Sequence, residues 1–417
     1  MNARQSPRRR SPARFRRRLT LIAAVVALAV VAVGQTASAS SSPTPPVAPA
    51  GPVPQGFVGV DVDGPLFAPD TTLNFENQTQ TMVANGVQSI RVAFNWAFAQ
   101  PYQSFGQVPV ADRDLFTDDV DGRPTNFSAT DEIVGDAAER HLTVLPTILY
   151  TPGWDAKPNR HGLATPRRSA PYAEFAAALV ARYGPQGKFW DENPTIPKVP
   201  IRMWQIWNEP NLSYYWPQPF AKSYVSLLRL AHSAIKRADP GARVVLGALT
   251  NLAWRSIGQI YQIHGASSLF DIVSVNGFTK QPANVILYMQ LMRNAMDHYK
   301  DGHKPLIATE VSWPAAQGQT PQHYDFNTTA AGQARDIAAL MPLIGEQRVR
   351  LGLMAFYYYT WIGQEDPGSG AFNFAGLLRY RNGQVTVKPA LAAFRTGVLA
   401  LEQCKQKGSV ATSCVKR

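Results

Sequence analysis

Two glutamates in this sequence are placed to do acid–base and nucleophilic work. Glu209 lies in Trp207-Asn208-Glu209-Pro210, within the stretch IRMWQIWNEPNLSYYW that spans Ile201–Trp216. Glu310 ends a second stretch, Lys304-Pro-Leu-Ile-Ala-Thr-Glu310. The first stretch opens with apolar residues alternating about Arg202, which suits a strand entering a buried sheet. Pro210 has no amide proton, so that strand is expected to stop at Glu209. A carboxyl group walled by Trp204, Trp207 and Trp216 is poorly solvated, and poor solvation favours its protonated form. Such a group can hand a proton to a leaving oxygen near neutral pH. Two carboxyl groups facing each other across a cleft are the minimum apparatus for glycoside hydrolysis. At roughly 5–5.5 Å apart the second attacks the anomeric carbon and configuration is retained; at about 6.5–9.5 Å a water fits between them and configuration inverts. Spacing along a chain does not choose between these distances. Asn-Glu-Pro alone also fits a strand-end turn with Glu209 in water, so the weight falls on the elements around it.

Those elements alternate. Short apolar runs occur at 57–62, 89–94, 142–149, 201–207, 244–249, 272–275, 306–309 and 352–359. Helical periods lie between and after them, at 72–84, 131–141, 171–183, 220–238, 255–263, 283–299, 330–344 and 389–401. The fourth helix is the clearest, with Tyr224, Leu227, Leu228, Ala231, Ile235 and Ala238 on one stripe and Asp239-Pro240-Gly241 as its stop. Eight β-α units fit a single (β/α)8 barrel over residues 56–402 better than a doubly wound sheet. No Gly-x-Gly-x-x-Gly follows the first strand.

In such barrels the reacting groups sit on the tips and loops at the C-terminal face. Those tips carry Asp61 and Asp63, then Arg91, Asn95 and Trp96, then Tyr150 and Trp154. The later tips carry Asn208 and Glu209, Asn251 and Trp254, Asn276 and Phe278, Glu310 and Trp313, and finally Trp361. Flat aromatic faces pack against the C–H surface of a sugar ring, and polar neighbours hold its hydroxyls. Trp96, Trp154, Trp216 and Trp313 are therefore expected to bind substrate; the alternative is that tryptophans simply fill the barrel mouth.

Trp207-Asn208-Glu209-Pro210, with Thr309-Glu310 near the end of a later strand, resembles the retaining glycoside hydrolases of clan A, the (β/α)8 group that holds families 5, 39, 42 and 51. Thr151-Pro-Gly-Trp154 and Trp204-Gln-Ile-Trp-Asn-Glu-Pro-Asn211 look more like family 39 than the family 5 cellulases, and the third strand lacks the histidine common at its tip in family 5. The resemblance implies that Glu209 is the general acid/base and Glu310 the nucleophile, with no metal and no cofactor. It further implies that Asn208 holds the 2-hydroxyl of the reacting sugar, that Arg91 hydrogen-bonds the nucleophile and that Trp361 floors the subsite. One departure stands out: where the clan's sixth strand often ends His-x-Tyr, this chain reads Asn276-Gly277-Phe278. Phe278 has no hydroxyl, so another donor, Tyr358 or Tyr359, is expected to serve, or the substrate differs.

The chain has 417 residues and a formal charge of +12. Eight arginines and no acid fall within residues 1–39, which leaves 33 basic against 29 acidic residues in the remainder. No basic stripe then argues for nucleic acid. The arginines precede an apolar run over Leu19–Gly34 and then Ala37-Ser38-Ala39, the pattern of a secretory signal peptide. Arg17-Arg18 leaves the Sec and twin-arginine routes both open, and an uncleaved anchor is the alternative to cleavage. Either way, Ser40 onward is expected outside the cell. Residues 40–55, rich in Ser and Pro, read as a tether. Cys404 and Cys414, the only cysteines, are expected to pair in a tail over 403–417. The seven histidines form no H-x-H or H-E-x-x-H pattern that would recruit a metal to Asp61 and Asp63, and a Gly-x-Ser-x-Gly elbow is absent. The sequence thus reads as a secreted monomer acting on carbohydrate, free of the membrane once its signal is cut. A carbohydrate-binding protein on a degenerate barrel is the competing reading.

Overall fold

The computed structural model describes residues 53–68, 71–407 and 410–413. The signal segment, most of the Ser/Pro stretch and Cys414, hence its expected pairing with Cys404, lie outside the described residues. Val53–Gln55, expected to be tether, belong to the fold. Val53 is buried in the core and its N–H donates to the Leu401 carbonyl at 3.1 Å.

Eight parallel strands form the barrel: β1 (Val58–Val62), β2 (Ser89–Asn95), β3 (Thr143–Leu149), β4 (Met203–Asn208), β5 (Arg243–Ala248), β6 (Val273–Asn276), β7 (Leu306–Val311) and β8 (Leu353–Tyr358). They neighbour one another in chain order, β8 lies beside β1, and parallel bridges Val245–Ile272 and Leu249–Val275 join β5 to β6. The main helices are α1 (Phe75–Ala84), α2 (Ser128–Glu139), α3 (Ser169–Tyr183), α4 (Ala221–Ala238), α5 (Ala253–Tyr261), α6 (Pro282–His298), α7 (Ala330–Leu351) and α8 (Pro389–Glu402). Each of the eight expected units is present. This is the (β/α)8 barrel that the alternation predicts.

Strand residues point alternately inward and outward, and the two sets carry different chemistry. Outward side chains such as Trp204 and Ile206 pack with the helices in one large core. Inward ones form two layers. Leu145, Val245, Ile272, Ile307, Ala355 and Tyr357 fill the N-terminal half. Above them Thr147, two residues past Leu145, Ser274, two past Ile272, and Gln205 of β4 are polar and bonded to one another: Thr147 Oγ1 donates to Gln205 Oε1 at 2.7 Å, and Gln205 Nε2 to Ser274 Oγ at 2.8 Å. An apolar plug thus supports a polar floor.

The helices tie themselves to strand backbones through buried tyrosines. Tyr224 of α4 donates to the Ile206 carbonyl of β4 at 2.8 Å and accepts from Gly247 N of β5 at 2.7 Å. Tyr172 of α3 donates to the Ile148 carbonyl at 2.8 Å. α7 runs seven residues beyond the apolar period that ends at Ile344, because the stop is made by backbone geometry. Gly352 adopts φ +59°, the left-handed cap, and its N–H returns to the Arg348 and Val349 carbonyls. Short hairpins at 118–125 and 156–166 and a small three-stranded sheet at 362–387 decorate the loops. Beyond α8, backbone strands at 405–407 and 410–413 pair antiparallel. Among the described residues, no helix is long and apolar enough to cross a membrane.

Candidate active site

The end of β4 departs from strand geometry. Trp207 has φ +68° and Glu209 φ +42°, left-handed values that cost a bulky residue about 1–3 kcal/mol each. The strand therefore stops at Asn208, one residue short of the proline-based expectation. The reversal at Trp207 sends its ring outward against Trp216 and Tyr172, with ring centroids 5.3 and 6.0 Å away. Asn208 and Glu209 then both face the barrel axis.

A second irregularity aligns the opposite wall. Val275 pairs with Ala308 but Asn276 pairs with Glu310, so β7 carries one extra residue, Thr309. Gly277 N donates to the Glu310 carbonyl at 2.7 Å, and Thr309 Oγ1 donates to Asn276 Oδ1 at 2.8 Å. With its amide oxygen held, Asn276 donates Nδ2 to Glu209 Oε1 at 2.8 Å.

Arg91 occupies the floor and uses its whole guanidinium. Nη1 donates to Glu310 Oε1 at 2.8 Å and to Asp61 Oδ1 at 2.6 Å. Nη2 donates to Asn208 Oδ1 at 2.9 Å and Nε to Gln205 Oε1 at 2.8 Å. All of these groups are buried. The cleft above them, about 300 Å³, is lined by Asp61, Asp63, Arg91, Tyr150, Asn208, Glu209, Tyr215, Phe278, Glu310, Tyr359 and Phe372.

The two glutamates differ electrostatically. Burial, and then the charge of Glu310, push Glu209 up to about 8, with Asn276 and Arg91 pulling weakly the other way. Burial raises Glu310 as well, but its direct ion pair with Arg91 opposes that rise. Burial thus favours the protonated form of Glu209, while the ion pair with Arg91 favours the ionised form of Glu310. Among the described residues no cluster of three or more His, Cys, Asp or Glu is placed to hold a metal ion.

Glu209, Glu310, Asn208, Arg91 and Asn276, all singled out from sequence, thus meet in one hydrogen-bonded set. The tryptophans do not join it. Trp361, expected as the floor, is fully buried with Nε1 donating to Gln78 Oε1 at 2.9 Å; Tyr359, two residues earlier, reaches the cleft instead. Trp96 is buried under α3 with Nε1 on Gln100 Oε1, and Trp154 donates to the Gln100 carbonyl. Trp216 bonds Ser223 Oγ, and Trp313 bonds the Thr279 carbonyl. The partners of these five indole N–H groups lie among the loops and helices, away from the cleft. Trp204 and Trp207 likewise face outward, so the poor solvation of Glu209 comes from its depth in the barrel mouth and from Tyr215 beside it. Of the candidate hydroxyl donors, Tyr358 is committed to the Ala375 carbonyl and Gln333, whereas Tyr359 bonds Asp63 and lies near Glu310. Phe278 packs on Phe326, Phe372 and Tyr359.

Of the stretch Tyr214-Tyr215-Trp216, which the sequence offered as an extension of a cleft or a pocket wall, Tyr215 lines the cleft; Phe372 is a wall that sequence reasoning missed. Tyr215 comes from a loop that the 156–166 hairpin braces: Leu163 N donates to the Tyr214 carbonyl at 2.8 Å and Asn159 Nδ2 to the Ser213 carbonyl at 2.7 Å. Phe372 sits in a single 3-10 turn beyond β8, where no periodicity marks it.

The (β/α)8 fold is shared with solved glycoside hydrolases. Among solved structures it is similar to a family 39 glycoside hydrolase from the gut symbiont Bacteroides cellulosilyticus WH2, with a TM-score of 0.60 and 15% identity over 84% of this chain and 64% of that one. A family 39 β-xylosidase from Caulobacter crescentus matches with a TM-score of 0.57 and 21% identity over 84% of this chain and 72% of that one. A family 39 enzyme from Xanthomonas axonopodis pv. citri gives 0.56 and 17%, over 83% and 67%. The chain thus spans just under two thirds of the Bacteroides enzyme. The sequence matches no protein-family model and no curated protein.

Proposed function

We propose that this protein is a secreted glycoside hydrolase that cleaves O-glycosidic bonds of oligo- or polysaccharides with retention, by double displacement between two glutamates. The observation that carries this reading is the division of labour in the cleft, a carboxyl group held protonated near neutral pH beside a carboxylate anchored on Arg91. Glu310 attacks the anomeric carbon while Glu209 gives its proton to the departing oxygen, which leaves a glycosyl ester on Glu310. Glu209, now a carboxylate, takes a proton from water as that water attacks the same carbon; the ester bond breaks and both residues return to their starting states. Asn208 and Arg91 position the 2-hydroxyl and the nucleophile. Tyr150, Tyr215, Phe278 and Tyr359 supply the ring-facing surface that was expected of tryptophan. β-Xylosides are the first substrates to try, since the Caulobacter neighbour is a β-xylosidase.

The test uses aryl glycosides whose leaving group needs no proton. Glu209→Ala should form the glycosyl ester and stall, and azide should restore turnover to a glycosyl azide of retained configuration. Glu310→Ala should give an inverted azide, because the anion attacks from the vacated nucleophile's side. Inverted product from Glu209→Ala means the roles are exchanged. A sugar-binding protein without activity would instead show no turnover in the wild type, with affinity unchanged in either variant.

A further inference from the structure

A second lobe adjoins the catalytic cleft. It measures about 930 Å³ against about 300 Å³, and the two share Val62, Asp63, Ala93 and Tyr150 as a common wall. Tyr150 stands there with φ +67°, a backbone state that a tyrosine adopts only under constraint. The lobe lies over the loops after β1, β2 and β3. Its walls include Leu66, Phe67, Leu73, Phe98, Ile133 and Leu163, and Phe98 is 67% exposed, Phe67 37%.

The side-chain oxygens of several polar residues that also line it already hold partners. Asn74 Oδ1 caps α1 by accepting from Asn77 N, and Asn95 Oδ1 accepts from Phe98 N. Asn126 Oδ1 accepts from Ser128 N, Thr151 Oγ1 donates to the Ala164 carbonyl, and Thr130 Oγ1 is bonded to the Phe127 carbonyl and Tyr183. Among the described residues that line it there is no lysine, arginine or tryptophan, and the only charged ones are Asp63 and Glu132. A sugar entering this lobe finds no tryptophan platform, and the side-chain oxygens of Asn74, Asn95 and Asn126 are already taken. An anion meets two carboxylates. An uncharged apolar group finds what it needs.

We infer that this lobe binds an uncharged alkyl or aryl group joined to the sugar that occupies the catalytic cleft, so that the preferred substrate is an amphiphilic glycoside. The inference rests on the glycosidase reading for what fills the small cleft, but its test does not need turnover. The full chain carrying Glu310→Gln is titrated with N-phenyl-1-naphthylamine, an uncharged apolar fluorophore. The probe is then displaced with n-octyl or methyl β-D-glucoside below micelle-forming concentrations. Each buried methylene strengthens binding about fourfold, so octyl should displace the probe at least tenfold better than methyl. Ala129→Trp, at an exposed position on the lobe's rim in α2, should weaken probe binding at least tenfold at an unchanged melting temperature; Phe98→Asp serves the same purpose should that variant not fold. Absence of probe binding, equal displacement by the two glycosides, or binding unaffected by both rim variants overturns the inference. None of those outcomes touches the azide chemistry of Glu209 and Glu310, which decides the glycosidase reading on its own.

Discussion

At Glu209 the physics reduces to one proton. With its pKa lifted to about 8, Glu209 keeps its proton through neutrality, and on the proposed roles the alkaline limb of kcat/KM should fall near pH 8. Asn276 donates to this carboxyl and bears on Glu310 too, which favours the ionised form of each. Asn276→Ala should therefore move both limbs of the pH profile upward, and a downward shift would show that the amide does not act on the ionised forms. Arg91→Met leaves Glu310 and Asp61 buried without a counter-charge. Losing one partner of a buried ion pair costs about 3–5 kcal/mol, so chemical denaturation should report a loss of that order, and kcat should fall by at least a thousandfold. The pair of acids, Asn208, Arg91 and Asn276 were legible because strand ends at a barrel mouth are few and their polar residues conspicuous. The aromatic partners were not. Trp and Tyr look alike as sugar platforms in a sequence, and only packing shows that Trp361 turns away while Tyr359 turns in.

Among the elements, α4 shows how a helix fixes the strand that carries the acid. Tyr224 bridges β4 and β5, and a Cβ on Gly247 would sit 2.7 Å from the Ile206 carbonyl and 2.8 Å from the Tyr224 hydroxyl. Tyr224→Phe strands the Gly247 N–H and Ile206 carbonyl without this hydroxyl. That should cost about 1–3 kcal/mol in urea denaturation and, with Glu209 three residues beyond Ile206, lower kcat more than it raises KM. Equal stability in the variant would mean that the bridge is dispensable. Periodicity and turn residues placed all eight strands and all eight helices, because each buries one continuous stripe. Those features could not place the kink at Trp207 or the bulge at Thr309, which come from tertiary packing and leave no pattern of residue types. The hairpin at 156–166 escaped for the same reason, being too short to hold a period.

Across the molecule, carboxyl groups raised by burial make stability depend on pH, Glu402 and Glu209 among them. Burial lifts Glu402, at the end of α8, to about 9, and Glu209 sits at about 8. Above the ordinary value of 4.5 the unfolded chain releases these protons while the folded chain keeps them. Stability should therefore fall as pH rises from about 4.5 to 9, with no contribution from these groups below that window. Glu402→Gln removes part of the slope, so the urea midpoint of the variant relative to wild type should rise between pH 5 and pH 9. A constant difference would place the titration elsewhere.

The burial of the indoles has a spectroscopic consequence. Seven of the nine tryptophans are buried, five of them with no exposed surface, and none lines the catalytic cleft. Their emission belongs to apolar surroundings and should be blue-shifted and hard for iodide to quench. A ligand settling over Arg91 will change that emission very little. Intrinsic tryptophan fluorescence thus reports unfolding in this protein and is nearly blind to occupancy, whereas ultraviolet difference absorption of Tyr150, Tyr215 and Tyr359 looks directly onto whatever fills the cleft.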